Sequence, residues 1–135
     1  MLVCGYDGTP GSHAGFAEAL RLGRELGSDV TAVFAYERSR LATEMKDLDD
    51  IILAQAHEIL GDAVSEGETA GVTVRPVVVE GSVAEALVEA ADKTDARYIV
   101  VGSYGERPLK SVLIGSTPSR LLHLSERPVL VVRNE

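Results

Sequence analysis

Short apolar runs alternate along the whole chain with segments whose apolar residues recur at helical spacing. Strands that are apolar on both sides are typical of a parallel sheet covered by helices on both faces. Because parallel neighbours need crossover connections, the alternation predicts an α/β fold. We expect an open, doubly wound, five-stranded parallel sheet of order 3-2-1-4-5, which is Rossmann-like. The runs are Leu2–Tyr6, Val30–Tyr36, Val72–Val79, Tyr98–Val101 and Pro128–Val132.

Helix patterns fill the segments between these runs. Ser12 precedes the first pattern, Ser82 and Glu85 form a capping box before the third, and the fourth begins near Pro118 with Thr117 as its N-cap. Each helix is expected to bury one apolar face. The predicted faces are Phe16, Leu20, Gly23 and Leu26, then Leu48, Ile52, Ala56, Ile59, Leu60 and Ala63, and then Val83, Leu87, Val88 and Ala91.

The composition is that of one globular domain. The chain has 135 residues, 45% of them hydrophobic, so we expect a single domain over residues 1–135. The formal net charge of −8 argues against nucleic acid and anionic membranes as partners. Residues 97–135, however, carry six basic and three acidic side chains. Chance and solvated loops explain this excess on charge alone, and a local anion site is the alternative.

Neither export nor membrane insertion is indicated by the sequence. The N-terminus lacks a basic segment, and no apolar run approaches the ~18–20 residues of a membrane helix. Cys4 is the only cysteine, which excludes an internal disulfide. Its place in an apolar run predicts a buried, inert thiol. We expect a cytoplasmic protein.

Three spaced glycines follow the fourth predicted strand. Gly102 and Gly105 stand three residues apart, and Gly115 with Ser116 precedes the last helix. Glycine lets a backbone approach a ligand closely, and a helix N-terminus attracts phosphate. A plain loop with turn glycines and a helix cap explains the same residues, so both interpretations stay open at this point.

The sequence lacks the motifs that several other known chemistries require. The segment after Gly105 has no second glycine for a Walker A loop, and the first strand is not followed by G-x-G-x-x-G. The histidines have no zinc spacing, and no G-x-S-x-G elbow occurs. A receiver-like phosphoacceptor is excluded because glutamate and arginine stand where an aspartate and a lysine are needed.

The pattern Gly102-x-x-Gly105-x9-Gly115-Ser116 resembles the nucleotide-binding signature of the universal stress protein family. Tyr6-Asp7-Gly8-Thr9 is similar to the end of that family's first strand, and the resemblance extends over essentially the whole chain. It implies ATP as the ligand, with Mg²⁺ as a further candidate bound through the phosphates. The implied protein is a nucleotide-dependent stress-response regulator.

The resemblance also assigns roles to residues. Asp7, with the backbone of Gly5 and Tyr6, meets the adenosine half, and a backbone group near Ala35 reads the adenine edge. The ribose and α-phosphate contacts are Val101, Gly102, Tyr104 and Gly105, and the β- and γ-phosphate contacts are Gly115, Ser116 and Thr117.

Two residues depart from the family pattern. Tyr104 replaces a basic residue or histidine, and Pro118 has neither an N–H nor a hydroxyl to offer. Arg107, Lys110 and Arg120 are candidates to compensate. Two alternatives therefore remain: an interaction module without nucleotide affinity, and a slow ATPase, for which no general base is evident.

The closing strand predicts self-association. Pro128–Val132 lies at an edge of the expected sheet and has no inward charge, and an exposed apolar edge tends to pair. The family resemblance also implies a homodimer through this strand. A monomer whose edge is covered by the last helix, or protected by Arg127 and Arg133, is the alternative.

Overall fold

The five expected strands pair in one parallel sheet. The computed structural model describes residues 1–37, 46–103 and 116–133. The sheet order is β3-β2-β1-β4-β5, which confirms the predicted fold class and strand order. The bounds differ from prediction by at most two residues at an end. They are β1 (Leu2–Gly5), β2 (Val30–Tyr36), β3 (Val74–Glu80), β4 (Tyr98–Gly102) and β5 (Val129–Val132).

Helices in the described ranges cover both faces of the sheet. They are α1 (Pro10–Leu26), α2 (Lys46–Ala70), α3 (Val83–Thr94) and α4 (Ser116–Leu124). On one face, Phe16 of α1 and Leu60 of α2 are buried against alternate strand residues. On the other face, Leu87 of α3 and Leu121 of α4 do the same. Successive strand residues therefore belong to opposite cores, as the period of a strand requires.

Helix ends account for most differences from the expected pattern. Leu26 is 43% exposed instead of buried, because it is the last residue of α1 before Gly27 ends the helix in the left-handed region (φ 64°). The helix α4 begins at Ser116, so Thr117 is inside it and is not its N-cap. Proline is tolerated in a first helical turn because its missing N–H has no helical partner there.

Only half of the predicted capping box forms at α3. The Ser82 hydroxyl accepts a hydrogen bond from the Glu85 N–H at 3.3 Å, as expected. The Glu85 carboxylate instead lies 3.2 Å from Nη2 of Arg120 on α4. A partner 35 residues away replaces the local contact.

The prediction for Cys4 is confirmed. Its side chain is fully buried in the core below α1, and burial raises the pKa of the thiol to about 12. A thiol in that state is a poor nucleophile at neutral pH. Within the described ranges, no helix combines the length and apolarity needed to cross a membrane.

The start of α1 and the end of β4 touch through their backbones. A Cβ placed on Gly102 would lie 2.1 Å from the carbonyl oxygen of Gly11. A Cβ on Gly15 would lie 2.9 Å from the Gly102 nitrogen. Neither distance is sterically possible, so this crossing requires glycine at both positions.

This contact predicts that Gly102→Ala lowers the free energy of unfolding by about 1–3 kcal/mol, because backbone atoms have to move. Gly61→Ala is the matched control. Gly61 lies within α2 with nothing within 4 Å of an added Cβ, so alanine there should stabilise the protein by about 0.5–1 kcal/mol. Urea unfolding of both variants measures the difference, and equal effects would contradict the packing argument.

Candidate functional site

The carboxyl ends of β1, β2 and β4 meet at one edge of the sheet. β1 is the central strand, with β2 on one side and β4 on the other. The chain leaves β1 over one face and reaches β4 over the other, so the strand order reverses between β1 and β4. In open α/β sheets, ligands bind in the crevice at such a reversal. The segments that border it are residues 5–9, 35–37 and 101–103.

Asp7 organises the turn between β1 and α1. Its Oδ1 accepts hydrogen bonds from the Thr9 N–H at 3.0 Å and from the Thr9 hydroxyl at 2.6 Å. Gly8 between them has a φ of 82°, and Thr9 caps α1 by accepting from the Ser12 N–H at 3.4 Å. Asp7 thus has a structural task in the turn, while its carboxylate is exposed at the edge of the sheet.

Gly5 and Tyr6 face opposite sides of the sheet. A Cβ on Gly5 would lie 3.3 Å from Leu87, on the side of α3. The Tyr6 side chain is buried on the side of α1, where its hydroxyl lies 2.9 Å from His13 Nδ1. Burial, followed by the negative charge of Glu66, raises the pKa of Tyr6. Tyr6 can therefore contribute only backbone atoms to a ligand in the crevice.

Ala35 offers its backbone to the space above β1. In β2, the polar groups of odd-numbered residues face β1, as the bond from the Tyr6 N–H to the Val33 carbonyl shows (2.9 Å). The N–H and C=O of Ala35 point the same way. Gly5, the last residue of β1, pairs with Val33. The polar backbone groups of Ala35 therefore face a gap that β1 does not fill.

The end of β4 places its residues alternately on the two faces. Val101 is buried in the core below α3 and α4, and Gly102 faces Gly11 of α1. The next residue, Ser103, continues the ladder through a bond from its N–H to the Val132 carbonyl (2.8 Å). Its hydroxyl is buried and has no hydrogen-bond partner among the described residues. The sequence prediction named both neighbours of Ser103 and missed this polar group.

A cavity of about 380 Å³ opens at this edge, on the face of α3 and α4. Two of its residues, Ala35 and Thr117, were predicted site residues. Arg120, in the second turn of α4, was predicted as a candidate to compensate at the phosphate end. The other five come from the end of β2, the turn before α3 and the first turn of α3, and they were not named as site residues. The whole lining is Ala35, Glu37, Gly81, Ser82, Val83, Ala84, Thr117 and Arg120.

The electrostatics of the cavity favour an anion on the side of the helices. The N-termini of α3 and α4 both border it, through Ser82 and Thr117, and helix N-termini carry partial positive charge. Arg120 is the one cation of the described lining, and Glu37 is its one carboxylate. No cluster of three or more metal-ligating side chains occurs in the described part of the chain.

Part of the predicted site falls outside the described residues. Tyr104, Gly105 and Gly115 lie there, as do Arg107 and Lys110. Ser116 is described only as the first residue of α4. The structure thus brings together Ala35 and Thr117 in one cavity, and it places Asp7, Gly5 and Val101 along the adjoining edge of the sheet.

Comparison with known proteins identifies the relatives of this chain. A universal stress protein of Mycobacterium tuberculosis is 32% identical over 136 residues, covering 93% of this chain and 92% of the relative. One from Mycolicibacterium smegmatis is 39% identical over 83 residues, which is 62% of this chain and only 27% of that longer protein. A universal stress protein solved in complex with cAMP is 27% identical, with a TM-score of 0.78 and coverage of 99% and 97% of the two chains.

The match to the universal stress protein family itself extends over residues 1–133. This span includes all five strands of the sheet and every segment that borders the crevice. The chain therefore belongs to the universal stress protein family.

Proposed function

We propose that this chain binds ATP at the carboxyl edge of its sheet and acts as a nucleotide-dependent regulator in a cytoplasmic stress response. One observation carries the proposal: the lining of a single cavity of about 380 Å³ includes both Ala35 and Thr117. The family resemblance assigns these two residues to opposite ends of the nucleotide. A ligand of that length requires one continuous space between them.

The nucleoside end has the composition of a purine site. Ligand pockets combine apolar walls with a few placed polar groups. Here Ala35, Val83 and Ala84 supply apolar wall, and the backbone of Ala35 supplies a donor and an acceptor. Asp7 adds an exposed carboxylate at the same edge. Because a carboxylate has about four acceptor positions, it can hold the Thr9 turn and accept a ribose hydroxyl as well.

The phosphate end is assigned to the start of α4 and the glycine signature. The first four N–H groups of a helix have no helical acceptor and attract anions. Pro118 removes one of them, which leaves fewer donors for the β- and γ-phosphates. We assign these phosphates to Gly115, Ser116 and Thr117, and the α-phosphate to Gly102 and its loop, with Mg²⁺ bound through the phosphates.

A relative supports the choice of an adenine nucleotide. The match to the universal stress protein solved with cAMP extends over 97% of that protein, with 27% sequence identity. Its ligand has the same base and ribose as ATP. The triphosphate is inferred from the glycine signature.

The two edges of the sheet differ in a way that supports a homodimer. On β3, the residues whose N–H groups face outwards include Pro76, which has no N–H and blocks pairing. On β5, Pro128 and Val132 face β4, so the N–H groups of Val129 and Val131 point outwards. We propose that two copies pair through these β5 edges. An interaction module of this kind would operate even without a nucleotide.

Replacement of Asp7 tests the nucleotide site. Asp7→Asn keeps an Oδ1 acceptor for both Thr9 donors, so the turn should persist. It removes the carboxylate charge, and the Kd for ATP should rise about 10-fold to 100-fold, as expected for loss of a charged hydrogen bond. Calorimetric titration measures the change.

Asp92→Asn is the matched control, because Asp92 is an exposed carboxylate near the far end of α3. Its affinity for ATP should equal that of the wild type. If Asp7→Asn binds as tightly as the wild type, Asp7 is not a ligand contact. If the wild-type protein binds no ATP and releases no adenine nucleotide on heat denaturation, the proposed function is wrong.

A proline on the β5 edge tests the dimer. Val131→Pro removes an N–H that points outwards and leaves the hydrogen bonds to β4 in place. It should convert a dimer of about twice 14.4 kDa into a monomer. Light scattering measures the mass. Val78→Pro makes the same change on the outer edge of β3 and should leave the mass unaltered. A wild type that is monomeric at ~100 μM would contradict the proposal.

A further inference from the structure

An ion pair links the two helices that border the cavity. Nη2 of Arg120 lies 3.2 Å from Oε1 of Glu85, and the two side chains are 57% and 64% exposed. Arg120 lines the cavity, and Glu85 belongs to the first turn of α3. The pair therefore joins α3 to α4 beside the space that we assign to the nucleotide.

The Glu85 carboxylate is not needed to cap its own helix. The hydroxyl of Ser82 caps α3 by accepting from the Glu85 N–H at 3.3 Å. The carboxylate is directed to Arg120 on the neighbouring helix. If the Glu85 carboxylate bonded to a different partner, the Ser82 cap at the start of α3 would remain.

Arg120 stands where a cation needs an anion. It is the fifth of nine residues in α4, and helical side chains lean back towards the N-terminus. A positive charge near a helix N-terminus is disfavoured by the helix dipole. The N-terminus of α3 borders the same cavity and adds to this effect. In the described structure, Glu85 supplies the compensating charge.

We propose that Arg120 is a phosphate-binding residue of the nucleotide site and that Glu85 holds it when no nucleotide is bound. This inference rests on the proposed function. An exposed ion pair changes an equilibrium by at most about fivefold. Charge-assisted bonds from arginine to phosphate change it about 10-fold to 100-fold. Phosphate therefore displaces Glu85, whose exposed carboxylate returns to water, and Glu85 acts as an internal competitor of the nucleotide.

Calorimetric titration with ATP and with adenosine tests the exchange in the full chain. Arg120→Gln should weaken ATP binding about 10-fold and change adenosine binding by less than about twofold, because adenosine has no phosphate. Glu85→Gln should tighten ATP binding about twofold to fivefold by releasing Arg120. In an Arg120→Gln background, Glu85→Gln should have no effect, since no arginine remains to be released.

Two remote pairs provide matched controls for charge and fold. Arg75→Gln breaks the exposed pair with Asp29 (2.8 Å), and Glu89→Gln breaks the exposed pair with Lys93 (2.9 Å) on α3. Both variants should bind ATP like the wild type, and melting temperatures verify that all variants fold.

The outcomes separate this inference from the proposed function. Unchanged ATP affinity in Arg120→Gln would overturn the inference alone. If Glu85→Gln tightened ATP binding equally with and without Arg120, Glu85 would act only by repelling the phosphates, and the proposed exchange would be wrong. A wild type that binds neither ATP nor adenosine would reject the proposed function and this inference together.

Discussion

The backbone contact between α1 and β4 fixes the geometry of the carboxyl edge. Gly11 and Gly102 approach so closely that a single methyl group at position 102 would overlap a carbonyl oxygen. The turn that contains Asp7 directly precedes α1. The contact between Gly11 and Gly102 therefore limits where this turn can lie relative to the end of β4. The glycine that opens the signature thereby serves the scaffold, in addition to any approach to a ligand. The turn after β1 and the end of β4, which are distant in sequence, are thus constrained by one steric contact.

The period of a β-strand then divides the predicted site residues between the two faces. Gly5 and Val101 face α3 and α4, where the cavity lies, whereas Tyr6 and Gly102 face α1. Residues that are adjacent in a strand direct their side chains to opposite faces of the sheet. The Tyr6 side chain lies on the side of α1, and its hydroxyl forms a hydrogen bond with His13. Tyr6 can therefore offer a ligand in the cavity only its backbone.

Local signals predicted the sheet well and long-range contacts poorly. Strand identity follows from apolar runs, which are local patterns, and the alternation of strands with helices indicates a parallel sheet covered on both faces. The partner of Glu85 did not follow, because Arg120 is 35 residues away and only the packing of α3 on α4 brings them together. Ala35 was assigned to the ligand through the family resemblance, whereas Glu37 and Gly81, which line the same cavity, were not named as site residues. Lining residues are set by tertiary placement and carry little local pattern.

Local charge, more than net charge, decides whether an anion can bind here. The chain carries a net charge of −8, which repels a polyanion at long range. Salt screens this repulsion over ~8 Å at physiological ionic strength, so the groups at the cavity dominate. Among the residues that the structure describes, those groups are two helix N-termini and Arg120, opposed by Glu37 and Glu85. Glu85 neutralises Arg120 in the described structure. The positive potential in the cavity therefore depends on whether Arg120 is paired with Glu85. A nearby carboxylate can thus regulate the affinity of an anion site in an acidic protein.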